Sequence, residues 1–185
     1  MSLSKDPDLK KAVLLLPQKE KDKLLIRLIN KDKLLIKQLH FQLLEDEQDL
    51  EERTESLRRQ FLQHMEQAVG YINNQLHTRN IKRLHTELRA YSGFINEYAY
   101  ITKNVFNEAQ LRLLLINKSF ELFPDLFRYD PQGRNQKLLK YQAGRIKLLQ
   151  AKFEKLHPDL QFDLAEGMEA MENHIGNSAL SLTKD

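Results

Sequence analysis

The chain has 185 residues, 41% hydrophobic and 30% charged, with a net charge of +3 and a pI near 9.0. That is a globular mixture on a chain long enough to bury about 70% of its unfolded surface, and a single domain over 1–185 is the simplest expectation. Cysteine is absent, which excludes a disulfide framework, a thiolate nucleophile and Cys-ligated zinc or iron–sulfur sites, and fits a cytoplasmic location.

The longest apolar runs, Ala12 to Leu16 and Leu113 to Ile116, fall far short of the ~20 residues that cross a bilayer. The first is also shorter than a secretory apolar region of about 7 to 15 residues, so neither a span nor an export signal is expected. No proline lies between Pro17 and Pro124, which leaves a long central region without the strongest helix breakers.

Asp6 before Pro7 reads as the N-cap and first residue of a short helix, with Leu9, Val13 and Leu16 on one face and Pro17 closing it. A second helix runs from Pro17 through Leu24, Leu25, Leu28 and Ile29 to Asn30. The hexapeptide Lys-Asp-Lys-Leu-Leu-Ile stands at Lys21 to Ile26 and again at Lys31 to Ile36. Ten residues at ~100° each rotate the second copy by about 80°, so one continuous helix would be apolar around most of its girth and a break near Asn30 is expected. The third helix, Lys31 to Glu45, then carries Leu35, Ile36, Leu39 and Leu43 on one stripe and Leu34, Phe41 and Leu44 on another. Two stripes predict contacts on both sides, which makes Lys21 to Leu44 the expected packing layer of the N-terminal part. This helix pair resembles the HEAT type, but the remainder lacks that ~40-residue period, so no family is assigned.

An acidic opening, Asp46 to Glu55, leads a long fourth helix marked by Leu50, Leu57, Phe61, Met65, Val69, Ile72 and Leu76. The stripe slips around Asn73, Asn74 and Thr78, where a turn is expected. Ile81, Leu84, Leu88, Tyr91, Ile95 and Tyr98 define a fifth helix, and Asn104 caps a sixth that ends before Pro124. Residues 124–134 read as a loop with Asp130-Pro131-Gln132-Gly133 as its turn, and with Phe127 and Tyr129 packing back on the domain. A seventh helix covers Arg134 to Leu156, an eighth starts at Pro158 and closes at Gly176, and 177–185 reads as a frayed tail. The expected fold is all-α, with seven or eight helices: a short-helix N-terminal hairpin layer over 1–45, packed on a longer antiparallel helical bundle over 46–176.

The best site candidate is the outer face of the seventh helix. Arg134, Lys137, Lys140, Arg145, Lys147, Lys152 and Lys155 face a single acid there, Glu154, and cover roughly 160° opposite the apolar stripe. Such a face can meet phosphates or another polyanion; the alternative is a solvated surface or a neighbour for the acidic stretch Asp46 to Glu55. The lysines of the hexapeptide echo alternate with Asp22 and Asp32 and read as solvent-facing.

No metal and no cofactor is expected. Glu154-x-x-His157 is one half of a di-iron signature whose second half is missing, and it reads as a His at the helix C-terminus. His77 and His85 are eight residues apart, too far for a pair on adjacent turns. Glu166, Glu169 and Glu172 fall off the apolar stripe, no nucleophile motif is present, and Tyr91, Phe94, Tyr98, Tyr100 and Phe106 read as core at helical spacing. The first expectation is therefore a non-enzymatic, cytoplasmic interaction or scaffold protein with a protein partner or self-association. The second is nucleic-acid or polyanion association through the seventh helix, and the third is a metal- or carboxylate-dependent enzyme.

Overall fold

The computed structural model describes residues 3–183. Among the described residues the secondary structure is eight α-helices and three short 3-10 turns, with no strand, so the fold is all-α. The chain divides into two compact units, one ending at Glu45 and one beginning at Asp46. No helix is long and apolar enough to cross a membrane among the described residues.

The first unit contains α1 (Pro7–Leu15), α2 (Gln18–Ile29) and α3 (Lys33–Leu44). The Asp6 carboxylate accepts from the Leu9 amide at 3.0 Å, and Pro7 occupies the first helical position, where no amide proton is needed. The hexapeptide echo is not a structural echo. Its first copy lies inside α2, where Asp22 accepts from the Gln18 amide group at 2.7 Å. In the second copy Asp32 stands outside the helix as its N-cap, accepting from the Leu34 and Leu35 amides at 2.9 and 3.0 Å. The expected packing layer needs correction: none of the three helices contributes a buried residue. Helices of 9, 12 and 12 residues are too short and too few to enclose a core of their own.

The second unit contains α4 (Glu47–Val69), α5 (Thr78–Thr102), α6 (Val105–Leu122), α7 (Gln136–Phe153) and α8 (Pro158–Gly176). Asp46 and Asp49 form a reciprocal capping box at the start of α4, which explains why an acidic stretch opens this helix. Helix α4 stops at Val69, earlier than its apolar stripe predicts, yet Ile72 is still buried from the turn that follows. That turn is held where the Arg83 guanidinium donates to the Tyr71 carbonyl at 2.6 Å and Asn74 accepts from the Asp125 amide at 2.9 Å.

Side-chain pairs fix the helix directions. Thr54 meets Tyr98 and His64 meets Glu87, so α4 and α5 run antiparallel. Arg112 reaches Asn96, Lys152 reaches Glu108 and Gln142 reaches Ser119, so α6 is antiparallel to α5 and α7. Helix α8 runs parallel to α6, with Gly167 against Leu113 and Asn117, and His174 stacked on Phe120. Helix α6 packs on α4, α5, α7 and α8, and only Val105, Gln110 and Glu121 along it are exposed. It is the centre of the bundle. Gly167 lets α8 approach closely, since a Cβ there would lie 2.7 Å from Leu113 Cδ2.

The segment between α6 and α7 is shorter of loop than expected. Pro124–Phe127 forms a 3-10 turn with Leu126 and Phe127 fully buried, and Asn135 donates to the Leu126 and Arg128 carbonyls to hold it. Tyr129, expected to pack back, is exposed. After α8 the chain does not fray at once. Ala179–Thr183 forms a 3-10 turn, and Ala179 and Leu180 are buried, with the Leu180 amide donating to Ser178 Oγ; residues 184–185 lie outside the described residues.

The contrast between the units sets an expected outcome. Ile116→Ala in α6, fully buried, costs about 2–5 kcal/mol of unfolding free energy, and Leu43→Ala in α3, 73% exposed, stays within about 0.5 kcal/mol, both read by urea denaturation. Equal losses at the two positions would contradict the fold assignment.

Candidate functional site

The seven cations proposed along α7 separate into two sets. Three are engaged by other side chains. Arg134, just before the helix, is clasped by Asp130 through two bonds, Nε to Oδ2 at 2.9 Å and Nη2 to Oδ1 at 3.0 Å. Asp130 also accepts from the Arg134 and Gln132 amides, so the pair fastens the turn that starts α7. Lys152 donates to Glu108 on α6 at 2.7 Å. Arg145 is half-buried, its guanidinium 5.3 Å from the Tyr141 ring centroid, and its Nε is buried without a hydrogen-bond partner.

The other four, Lys137, Lys140, Lys147 and Lys155, are exposed. Lys137, Lys140 and Lys147 fall within about 80° of one another around the α7 axis; Lys155 lies beyond the helix end. Gly144 sits between Lys140 and Lys147 on the same sector, and a Cβ built there meets nothing within 4 Å, so this sector is open.

A seam with α5 extends the positive field. Tyr141 donates to Ser92 Oγ at 2.7 Å, and its ring packs edge-on against His85 at 5.1 Å. Desolvation by burial, then the charges of Arg89 and Lys137, hold the His85 imidazole below its ordinary pKa. Positive charge from two helices thus converges on one histidine.

Sequence reading missed the buried network beneath this seam. Glu108 and Arg112 are both 5% exposed. Arg112 donates from Nε and Nη2 to Glu108 Oε1 at 2.9 and 2.7 Å, and from Nη2 to Asn96 at 2.7 Å; Lys152 takes Glu108 Oε2. A cleft of about 360 Å³ lies over it, lined by Asn96, Tyr100, Lys103, Glu108, Arg112 and Lys152 among others. Lys103 at its rim adopts a left-handed φ of 55° as the cap of α5, with Nζ 4.2 Å from the Tyr100 ring centroid. The signal was present: Glu108 and Arg112 are four residues apart inside a run too apolar to leave them in water.

The remaining candidates resolve as follows. His157 is not a C-terminal residue of α7; it caps α8, accepting from the Asp159 amide. His77 does the same for α5. Tyr91 and Tyr98 are buried, while Phe94 and Tyr100 are exposed. The acidic stretch of α4 lines a separate cleft of about 1200 Å³ with Asn104, Asn107 and Gln110 of the α6 end. His64 and Tyr71 flank the Glu87 carboxylate at 2.9 and 3.0 Å; burial first and the Glu87 bond second raise the Tyr71 phenol. Among the described residues no three His, Asp or Glu side chains converge as a metal-ligand group.

The Arg134 clasp carries a pH signature. Its hydrogen bond, above all, lowers the Asp130 carboxyl from 3.8 to about 2. A carboxyl whose folded value is depressed contributes stability that is fully present above its unfolded value and is lost as pH falls through the folded one. Asp130→Asn is therefore expected to destabilise the chain at pH 7, with the gap from the unsubstituted protein closing between pH 4 and pH 2. Unfolding curves across that range measure it, and a gap that is constant with pH contradicts the ion pair.

Compared with family models, curated proteins and solved structures, the chain matches none.

Proposed function

We propose that the protein is a non-enzymatic interaction protein of the cytoplasm whose adhesive element is the first unit. One observation carries this reading. Its three helices bury no residue, while Leu9, Leu14, Leu15, Leu25, Ile26, Leu28, Leu34, Ile36, Leu43 and Leu44 are exposed. Apolar patches on monomeric proteins seldom exceed a few hundred Å² unless something binds them. The second unit, by contrast, has its own core around α6. The absence of cysteine fits a reducing compartment.

The test is to replace Leu25, Leu43 and Leu44 with serine. The reading predicts that the cooperative unfolding of the second unit moves by no more than about 0.5 kcal/mol while binding of an apolar dye to the native protein falls. A loss of several kcal/mol would make these residues core and overturn it.

A second reading is favoured by the convergence of Arg89 and Lys137 on His85: association of a nucleic acid or other polyanion along the open sector of α7. Neutralising those cations would relieve the part of the His85 depression that charge adds to burial, so a bound polyanion is expected to raise its pKa in an NMR titration, and reversing Lys137, Lys140 and Lys147 to Glu is expected to abolish both that polyanion-induced rise and salt-sensitive binding to mixed-sequence RNA and DNA. Binding that is indifferent to salt or to those reversals contradicts it.

A further inference from the structure

We propose that the cleft over Glu108 and Arg112, where the α5–α6 junction meets α7, binds a small organic anion: a phosphate or carboxylate head on a short apolar body. The cleft belongs to the second unit alone, so the proposal stands or falls independently of the role of the first. Its volume of about 360 Å³ lies at the small end of the ~300–1,000 Å³ of small-molecule sites.

Charge is the main argument. Lys103, Arg112 and Lys152 line the cleft against one carboxylate, Glu108. Arg112 and Lys152 share that carboxylate, each at 2.7 Å, with side chains only 6% and 25% exposed. Two cations on one carboxylate leave a positive charge uncompensated where water is scarce, which is costly until an anion meets it. Arg112 also borders a second cavity, of about 10 Å³, and no acid offsets it there: Ser92, Tyr141, Gln142 and Arg145 line that cavity together with apolar side chains. The buried Nε of Arg145 is itself without a partner.

Donors remain for such an anion. Arg112 uses Nε and Nη2 on Glu108 and Asn96, and among the described residues its Nη1 donates to nothing. Lys152 has two ammonium protons beyond the one it gives to Glu108. Lys103 makes no ion pair among the described residues; its Nζ lies 4.2 Å from the Tyr100 ring centroid. The backbone of Lys103 holds a left-handed φ of 55° at the end of α5, where glycine is the usual residue and a lysine is strained. That strained cap sets a cation at the rim of the cleft. Ala99, Tyr100 and Val105 supply an apolar wall, and Tyr100 and Val105 are 38% and 41% exposed. An aryl or short alkyl group beside the anionic head would cover this wall, which a bare inorganic ion leaves in water.

The test is to titrate the full chain with phenyl phosphate, benzoate, inorganic phosphate and, as a neutral control, benzyl alcohol, up to about 10 mM so that millimolar dissociation constants are reached, following amide shifts by NMR. The proposal predicts saturable shifts at residues 99–105, Arg112 and Lys152 with phenyl phosphate or benzoate, the tighter of the two naming the head. Inorganic phosphate is expected to bind roughly 5-fold or more weakly than that ligand, and benzyl alcohol not to saturate. Lys103→Gly keeps the left-handed cap, and so the fold, with a thermal midpoint unchanged or raised. It is expected to weaken binding roughly 10- to 100-fold, as for the loss of one charged hydrogen bond. Lys103→Arg is expected to retain binding, and Lys82→Ala, exposed near the start of α5, to leave it unchanged. The proposal is overturned by the absence of saturable shifts with both aryl anions, by an unchanged affinity in Lys103→Gly, or by an equal loss in Lys82→Ala. Inorganic phosphate or benzyl alcohol binding as tightly as the aryl anions overturns it as well.

Discussion

A helix that is covered by four neighbours has to find a partner inside the protein for every charge it buries. Helix α6 carries Glu108 and Arg112 into that position, and the second unit is arranged so that Asn96 from α5 and Lys152 from α7 meet them there. Removing either member of a buried pair strands the other without compensation, at a cost of about 3–5 kcal/mol. The network thereby fixes the register of three helices at one end, while Gln142 on Ser119 fixes α7 on α6 toward the other. The apolar contacts of Ile116, Phe120 and Leu149 supply the bulk of the burial, but they tolerate sliding in a way that a three-way ion network does not.

The same arrangement decides what the α7 cations can do. Lys152, Arg134 and Arg145 look equivalent to Lys140 on a helical wheel, yet two are engaged by carboxylates and one lies over Tyr141. What is left facing solvent is a narrower stripe, Lys137, Lys140 and Lys147, and its field is strengthened by Arg89 across the seam rather than by the rest of α7. A long basic helix face thus becomes part structural tie and part open surface.

Much of the helix pattern was legible because its signals are local. Asp6-Pro7, Asn104 and His157-Pro158 each mark a helix boundary through short-range capping chemistry, and the all-α class follows from apolar spacing. Elsewhere local signals misled. The apolar stripe of α4 runs on through Ile72 because that residue is buried from a turn, and burial without helix leaves the same trace in a periodicity. The two copies of Lys-Asp-Lys-Leu-Leu-Ile are identical in sequence, but an aspartate caps a helix only where the chain upstream leaves it, and the preceding turn near Asn30 decides that. Apolar periodicity also states only that a face wants cover. It placed α3 in an inner layer, whereas Leu35, Leu39 and Phe41 of that helix are only half-buried and none of its residues is fully buried. Which of the α7 cations face solvent was hidden for the same reason: whether a lysine is solvated or paired depends on which carboxylate another helix brings to it.

The central claim is that the second unit is organised by α6. Amide hydrogen exchange followed residue by residue tests it most directly. The account predicts that amides of α6 exchange only through global unfolding, while those of α2 and α3, which hold no fully buried residue, exchange orders of magnitude faster. Protection of α2 and α3 equal to that of α6 would contradict it.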